Sequence, residues 1–122
     1  MALGVTQGKL SPCPDSPNCV SSQSPDPSHF VEPLSYTDSR LEAKARLLKI
    51  IASLARTTII TDTPSYMHAE FTSLIFRFVD DVEFYFEEGK NLIHVRSASR
   101  VGYSDLGMNR KRIEAIREKF ER

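Results

Sequence analysis

The 122-residue sequence has no net charge and no long apolar run, and each absence excludes a class of function. Sixteen basic residues balance sixteen acidic ones, whereas a general nucleic-acid binder is basic overall or carries a basic stripe. No apolar stretch approaches the roughly 18 residues that indicate a membrane-spanning helix. The first ten residues lack a charged start and a long apolar segment, so no secretory signal is predicted. We therefore expect a cytoplasmic protein, or one trimmed of its targeting segment, without nucleic acid or membrane insertion among its interactions.

The sequence also lacks the short motifs that identify common catalytic centres. It contains no G-x-S-x-G, no H-E-x-x-H and no P-loop. It has no internal repeat and no low-complexity tract that would indicate a second domain or an array. We therefore expect no cofactor and no resident metal.

Cysteine is scarce, and the two that are present leave three interpretations open. Cys13 and Cys19 are separated by five residues that include Pro14 and Pro17. We favour structural or incidental thiols, because stable disulfides are rare in the cytoplasm. A reversible disulfide would close a small loop and contribute about 2 kcal/mol. Metal binding is the third interpretation, although two thiols cannot complete a four-ligand zinc site and the spacing is not C-x-x-C.

Proline is concentrated at the start of the chain, where it predicts an extended arm over residues 1–37. All but one of the seven prolines lie there, and each fixes φ and removes a backbone donor. The arm nevertheless contains too many apolar side chains for a solvated tail, namely Val20, Phe30, Val31, Leu34 and Tyr36. We expect these side chains to pin the arm around a single domain formed by residues 38–122.

The rest of the chain predicts an α+β fold. A capping box formed by Ser39 and Glu42 begins a helix that runs to about Ala55, with an apolar stripe at Leu41, Ala45, Leu48, Ile51 or Ala52, and Ala55. Period-two patterns predict strands over 57–61, 66–73, 82–87 and 92–98, with a hairpin turn at Gly89. A final helix begins at Ser104 or Asp105. The expected architecture is a four-stranded antiparallel sheet with both helices on one face, in the order α-β-β-β-β-α.

Alternation along the strands separates an apolar face from a polar face. The apolar face is predicted to carry Met67, Ala69, Phe71, Val82, Phe84, Phe86, Ile93, Val95 and Ser97, packed against Ile113, Ile116 and Phe120 of the last helix. The polar face is predicted to carry His68, Glu70, Glu83, Tyr85, His94 and Arg96. That face is either exposed to solvent (wet) or a concave surface that the arm covers (roofed) and that holds a ligand. On it, His68 with Glu70 can orient a base or bind a metal, since i and i+2 on a strand point the same way.

Arginines and hydroxyl groups cluster where the last strand runs into the last helix. The candidate anion-binding residues are Arg96, Ser97, Ser99, Arg100, Tyr103 and Arg110. Hydroxyl groups and guanidinium forks near a helix N-terminus can accept an anion, so we expect Arg96, Arg100 and Arg110 to converge there. The alternative is a purely structural network in which the arginines pair with nearby carboxylates, the candidates being Asp80, Asp81 and Asp105.

Several of these segments also carry a family resemblance. They are CPDSPNCVSS (13–22), HAEFTS (68–73), FVDDVE (78–83) and RSASRVGYSDLGMNR (96–110). Together they resemble a family known only as domain of unknown function 1499, over nearly the whole chain beyond the first ten residues. No catalytic residue is assigned in that family, so the resemblance implies no mechanism.

Two functions are compatible with these patterns. We favour a non-enzymatic ligand-binding or assembly module, whose polar face and arginine-rich loop hold a small anion or a protein partner. The alternative is a metal-assisted or acid/base hydrolase that uses His68 and Glu70. Geometry discriminates between them, because the enzyme requires His68 within hydrogen-bond reach of Glu70 or another carboxylate in a concave pocket.

Overall fold

The computed structural model describes residues 3–121, so the outermost residues of the predicted arm and domain (1, 2 and 122) lie outside the described range. The elements are β1 (Val5–Thr6), β2 (Lys9–Leu10), β3 (Cys19–Ser21), β4 (Leu34–Ser35), α1 (Arg40–Ala52), β5 (Thr57–Thr63), β6 (Tyr66–Thr72), β7 (Val79–Phe86), β8 (Leu92–Ser99) and α2 (Met108–Phe120). Neither α1 nor α2 has the length and apolar character needed to cross a bilayer.

The main sheet has six strands, and the prediction of four was wrong. Its spatial order is β3-β8-β7-β6-β5, with β4 also paired to β8, and every ladder is antiparallel. The two additional strands come from the proline-rich arm, where β3 pairs with residues 96–98 and β4 with residues 92–93. Strands of two or three residues between prolines are too short to show alternation, so sequence patterning misses them. The predicted α+β class with antiparallel pairing is confirmed.

The predicted start of α1 is confirmed, but only part of its predicted apolar stripe, Leu48 and Ile51, packs against the core. The Ser39 side chain accepts a hydrogen bond from the Glu42 backbone, and the Glu42 side chain accepts one from Ser39. The residues buried on α1 are Ala43, Leu47 and Ile51, whereas Leu41 is 81% exposed. Apolar residues occur on both sides of this helix, so the sequence pattern leaves its rotation undetermined and packing against the sheet selects one face.

One buried apolar cluster joins both helices to the same face of the sheet. It contains the predicted strand residues Phe71, Val82, Phe84, Phe86, Ile93 and Val95 together with Ile113, Ile116 and Phe120 of α2. Four predicted anchors of the arm belong to the same cluster, namely Val20, Val31, Leu34 and Tyr36. The arm therefore closes the edge of the core and is part of the same packed unit.

Strand β7 begins at Val79, three residues before its predicted start, and this places two aspartates inside the sheet. Asp80 is opposite Ser99 on β8, and Asp81 is opposite Ala98. Because successive side chains of a strand point to opposite faces, Asp80 faces the helices while Asp81 faces the other side. The two adjacent carboxylates thus serve two different networks.

Candidate functional site

The polar face of the sheet is the side opposite the helices, and strand register brings its predicted residues into neighbouring rows. His68 on β6 lies opposite Glu83 on β7, which in turn lies opposite Arg96 on β8. The adjacent row pairs Glu70 with Asp81. These five side chains therefore form one compact group of ionisable residues.

The arm covers this face, which makes it an interior surface. The exposed fractions of His68, Glu83 and Arg96 are 5%, 0% and 2%. Backbone groups of the arm contact the face directly, since Gly4 N donates to Glu83 Oε2 at 2.7 Å and Arg96 Nη2 lies 3.5 Å from the Pro12 carbonyl oxygen. Of the two interpretations of the polar face, the roofed surface therefore fits the structure and the wet surface does not.

Arg96 and Glu83 form a buried ion pair at the centre of the face. Arg96 Nη1 lies 3.5 Å from Glu83 Oε1, while Glu83 Oε2 accepts a 2.6 Å hydrogen bond from the Tyr66 hydroxyl. Burial lowers the pKa of Arg96, and the neighbouring carboxylates of Glu83 and Asp81 oppose that shift. Burial together with the bond to Glu83 raises the pKa of Tyr66, so its phenol remains the donor.

Asp81 links His68 to Arg100. Its Oδ1 accepts from His68 Nε2 at 2.8 Å and from Arg100 Nη2 at 2.9 Å, and its Oδ2 accepts from Arg100 Nε at 2.8 Å. Arg100 Nη2 also donates to Glu70 Oε2 at 2.5 Å. Burial opposes ionisation of Asp81, but the bonds from Arg100 and His68 outweigh it and hold the pKa of its carboxyl below the usual range.

The same residues include a possible set of metal ligands. Ligand atoms of His68, Glu70 and Asp81 all lie within 4.8 Å of one another, and an imidazole with two carboxylates is a donor set that divalent metals accept. The guanidinium of Arg100, however, already bonds to both carboxylates. A metal would have to displace that guanidinium, so the observed arrangement favours an internal ion-pair network.

A cavity of about 500 Å³ lies between the arm and the end of β8. From the arm it is lined by Leu3, Pro14, Ser16 and Asn18, and from the sheet side by Asp81, Arg96, Ala98, Ser99, Arg100 and Gly102. Its volume falls within the range of about 300 to 1,000 Å³ that is typical of small-molecule sites. Three of the predicted anion-binding residues, Arg96, Ser99 and Arg100, therefore share this cavity.

A disulfide between Cys13 and Cys19 closes the loop that forms the arm's wall of the cavity. Cys19 lies on β3 opposite Ala98, and the loop between the two cysteines carries Pro14, Ser16 and Asn18. The favoured interpretation of free thiols is thus not what the structure shows. Spacing alone did not reveal the bond, because the approach of the two cysteines depends on how the arm folds against β8.

We expect reduction to destabilise the protein measurably. Closing so small a loop contributes about 2 kcal/mol on a chain-entropy estimate, which corresponds to a fall of roughly 5 to 10 °C in the melting temperature of a domain of this size. Differential scanning calorimetry with and without a dithiol reductant measures the change. The Cys13→Ser/Cys19→Ser variant is the control, since it should melt like the reduced protein and not respond to reductant. An unchanged melting temperature in the wild type would contradict a structural disulfide.

The remaining predicted anion-binding residues, Ser97, Tyr103 and Arg110, do not line this cavity. Ser97 is buried on the helix side and donates to Asn109 Oδ1 at 2.5 Å. Arg110 donates to the Phe30 and Ser28 carbonyl oxygens at 2.6 and 3.1 Å, so it holds the arm. Tyr103 is 71% exposed. The structure therefore does not bring Arg96, Arg100 and Arg110 together at the start of α2.

The N-terminus of α2 is already occupied by a side chain of the protein. Asp105 Oδ2 accepts from the Asn109 backbone N–H and Oδ1 accepts from that of Gly107, each at 2.8 Å. Burial opposes ionisation of Asp105, but these backbone bonds and the Asn109 side chain hold its pKa below the usual range. A carboxylate there satisfies the positive end of the helix dipole, so an external anion is not needed at that position.

Two asparagines that sequence reasoning did not assign to the site hold the cavity wall. Asn18 accepts from Ser16 Oγ at 2.8 Å and donates to the Gly102 carbonyl oxygen at 2.8 Å. Asn109, which is fully buried, donates to the Asn18 carbonyl oxygen at 3.2 Å. Asparagine is common in loops, so neither position carries a signal until the two segments, 84 residues apart or more, are placed together.

Comparison with known proteins adds a family but no activity. The sequence model of the family described as "Protein of unknown function (DUF1499)" matches residues 9–120. The chain belongs to this family. The match to DUF1499 includes the disulfide loop and the polar face. It confirms the resemblance seen in the motifs. A search of curated proteins found no match. What the DUF1499 fold does must therefore be argued from its site.

Proposed function

We propose that this protein is a non-enzymatic binding module that holds a small organic anion in the cavity between the disulfide loop and the end of β8. The observation that carries the proposal is the charge of the lining, where two guanidinium groups, Arg96 and Arg100, accompany one carboxylate, Asp81. Guanidinium forks recognise carboxylate and phosphate groups through paired hydrogen bonds. Within the lining, guanidinium groups therefore outnumber carboxylates by one, while their further partners, Glu83 and Glu70, lie outside it.

The rest of the lining indicates what kind of anion fits. Leu3, Pro14 and Ala98 are apolar, while Ser99, whose hydroxyl oxygen accepts from Asn109 Nδ2, offers its hydroxyl hydrogen as a donor. Sites for small organic molecules combine apolar walls with convergent polar groups, and this lining contains both. We infer that the ligand carries a carboxylate or phosphate group on a small apolar body.

Catalysis is the less supported alternative, although one of its requirements is met. His68 donates to Asp81 at 2.8 Å, and Asp81 lines the cavity. His68 itself is not among the cavity-lining residues. An acid/base group has to reach the proton that it transfers, so this arrangement supports a positioning role for His68 beneath Asp81.

The disulfide is relevant to the cellular compartment of the protein. Stable disulfides persist in oxidising compartments and are rare in the cytosol. The bond between Cys13 and Cys19 therefore favours an oxidising compartment over the cytoplasm that the sequence predicted.

We expect millimolar inorganic phosphate, used as the simplest probe of the cavity, to raise the melting temperature. A ligand at ten times its dissociation constant stabilises the protein by about 1.4 kcal/mol, which raises its melting temperature by roughly 4 to 7 °C. Arg100→Gln should abolish that response and also lower the basal melting temperature, because Asp81 and Glu70 lose a partner. The matched control is Arg40→Gln, which removes the same charge at the exposed start of α1. It should respond to phosphate like the wild type. Equal responses of the wild type and Arg100→Gln would contradict the proposal.

A further inference from the structure

One end of the molecule carries most of its exposed large apolar side chains. The connection between β6 and β7 presents Leu74, Ile75, Phe76 and Phe78, and the connection from β8 into the start of α2 presents Val101, Tyr103, Leu106 and Met108. These eight residues, which we call the apolar tip, are between 51% and 86% exposed. In residues 3–121 only three other large apolar side chains are exposed to a comparable extent, namely Leu3, Leu41 and Ile60.

The two connections leave the same end of the sheet, where backbone hydrogen bonds link their first residues. Thr72 lies opposite Val79 across the β6–β7 ladder, and Arg100 N donates to the Val79 carbonyl oxygen at 3.1 Å. The first connection is closed at its base, because Ser73 N donates to the Phe78 carbonyl oxygen at 2.9 Å and Phe78 N donates to Ser73 Oγ at 2.9 Å. The two connections that carry the apolar tip therefore leave neighbouring strands at the same end of the sheet.

Charge at this end is also unevenly distributed. Residues 73–78 and 100–111 contain four basic side chains, Arg77, Arg100, Arg110 and Lys111, against the single acidic Asp105, in a chain whose net charge is zero. Arg100 is matched by Asp81 and Glu70, and both Asp105 oxygens are engaged by backbone N–H groups. Arg77 and Lys111 are exposed. The apolar tip is accordingly flanked by positive charge.

We propose that the apolar tip docks this protein on the surface of a bilayer that contains anionic lipids. Exposed aliphatic and aromatic side chains flanked by Lys and Arg are the combination that binds to the headgroup region without spanning the membrane. Tyr103 and the stacked rings of Phe76 and Phe78, whose centroids are 5.6 Å apart, suit that interface. A fluid surface also accommodates side chains that are more than half exposed, whereas a protein groove requires a matching shape. The docking is a contact of side chains with headgroups and concerns no membrane-spanning segment.

The direct test is co-sedimentation of the full chain with vesicles of phosphatidylcholine, with and without phosphatidylserine. We expect binding to the anionic vesicles, weaker binding to the neutral ones, and a decrease at high salt because exposed charges are screened. The Ile75→Ser/Phe76→Ser variant should bind at least about tenfold more weakly, since it loses two large apolar contacts. Its melting temperature should match the wild type because both positions are exposed.

The control variant is Leu41→Ser/Ile60→Ser, which removes two exposed apolar side chains outside the apolar tip and should bind like the wild type. Three outcomes of the co-sedimentation overturn the proposal: no binding of the wild type to anionic vesicles, equal binding of the Ile75→Ser/Phe76→Ser variant, or equal loss in the control. Sedimentation equilibrium without vesicles distinguishes lipid binding from self-association of the protein. A concentration-dependent dimer that the Ile75→Ser/Phe76→Ser variant abolishes would show that a second copy of the chain covers the apolar tip, and would also overturn the proposal.

Discussion

Replacing Phe84 by alanine should lower the free energy of unfolding by about 3 to 5 kcal/mol, which is the usual cost of truncating a buried phenylalanine to alanine. Phe84 is fully buried in the middle of β7, within the cluster that joins the sheet to both helices. The loss combines the transfer free energy of the ring with a cavity that close-packed neighbours fill only in part. Urea unfolding of the two proteins measures the difference.

The matched control for that experiment is Phe76→Ala. Phe76 is the same residue type at 73% exposure, so its truncation should change the free energy of unfolding by less than about 0.5 kcal/mol. If Phe84→Ala were within about 1 kcal/mol of the wild type, the inward orientation of alternate β7 residues would be wrong.

Breaking the buried pair of Arg96 and Glu83 should have an effect of similar size. Arg96→Met leaves the Glu83 carboxylate buried without its cation, and removal of one partner of a buried ion pair costs about 3 to 5 kcal/mol. Glu83→Gln retains an acceptor for Gly4 N and the Tyr66 hydroxyl, but it leaves the charge of Arg96 in a site that is 2% exposed. Both single variants should therefore unfold at lower urea concentrations.

The double variant tests whether the destabilisation comes from unpaired charge. Because Arg96→Met/Glu83→Gln contains neither charge, it should be more stable than the sum of the two single effects predicts. Lys90→Met is the control at an exposed pair, where Lys90 Nζ lies 3.5 Å from Glu87 Oε2, and it should change stability by less than about 1 kcal/mol. Strict additivity of the two single variants would show that Arg96 and Glu83 do not interact.

The candidate site could be predicted only in part. Alternation placed His68, Glu83 and Arg96 on one face, and register confirms that they are neighbours. The sequence left open whether that face is wet, because the answer depends on the arm, which approaches from residues far away in the chain. The contact between Gly4 N and Glu83, for example, joins positions 79 residues apart.

The arginine-rich segment shows the same limit for charged side chains. Its residue types favour both an anion site and an ion-pair network, since a guanidinium pairs equally well with an external phosphate and an internal carboxylate. Strand pairing decides that Arg100 pairs with Asp81 and Glu70, while Asp80 on the opposite face pairs with Arg112 at 2.9 Å. A long flexible side chain reaches several partners, so sequence distance does not select one of them.

Features that depend only on neighbouring residues could be read from the sequence. These are the α+β class, the capped start of α1, the turn at Gly89 and the alternation that buries Phe84, since capping, turn geometry and strand period act over a few positions. Tertiary packing sets the pairing of arm strands β3 and β4 with β8, the rotation of α1, the disulfide and the cavity beneath its loop. Each of these requires segments remote in sequence to meet in space, and the free energy that brings them together is burial of the shared core.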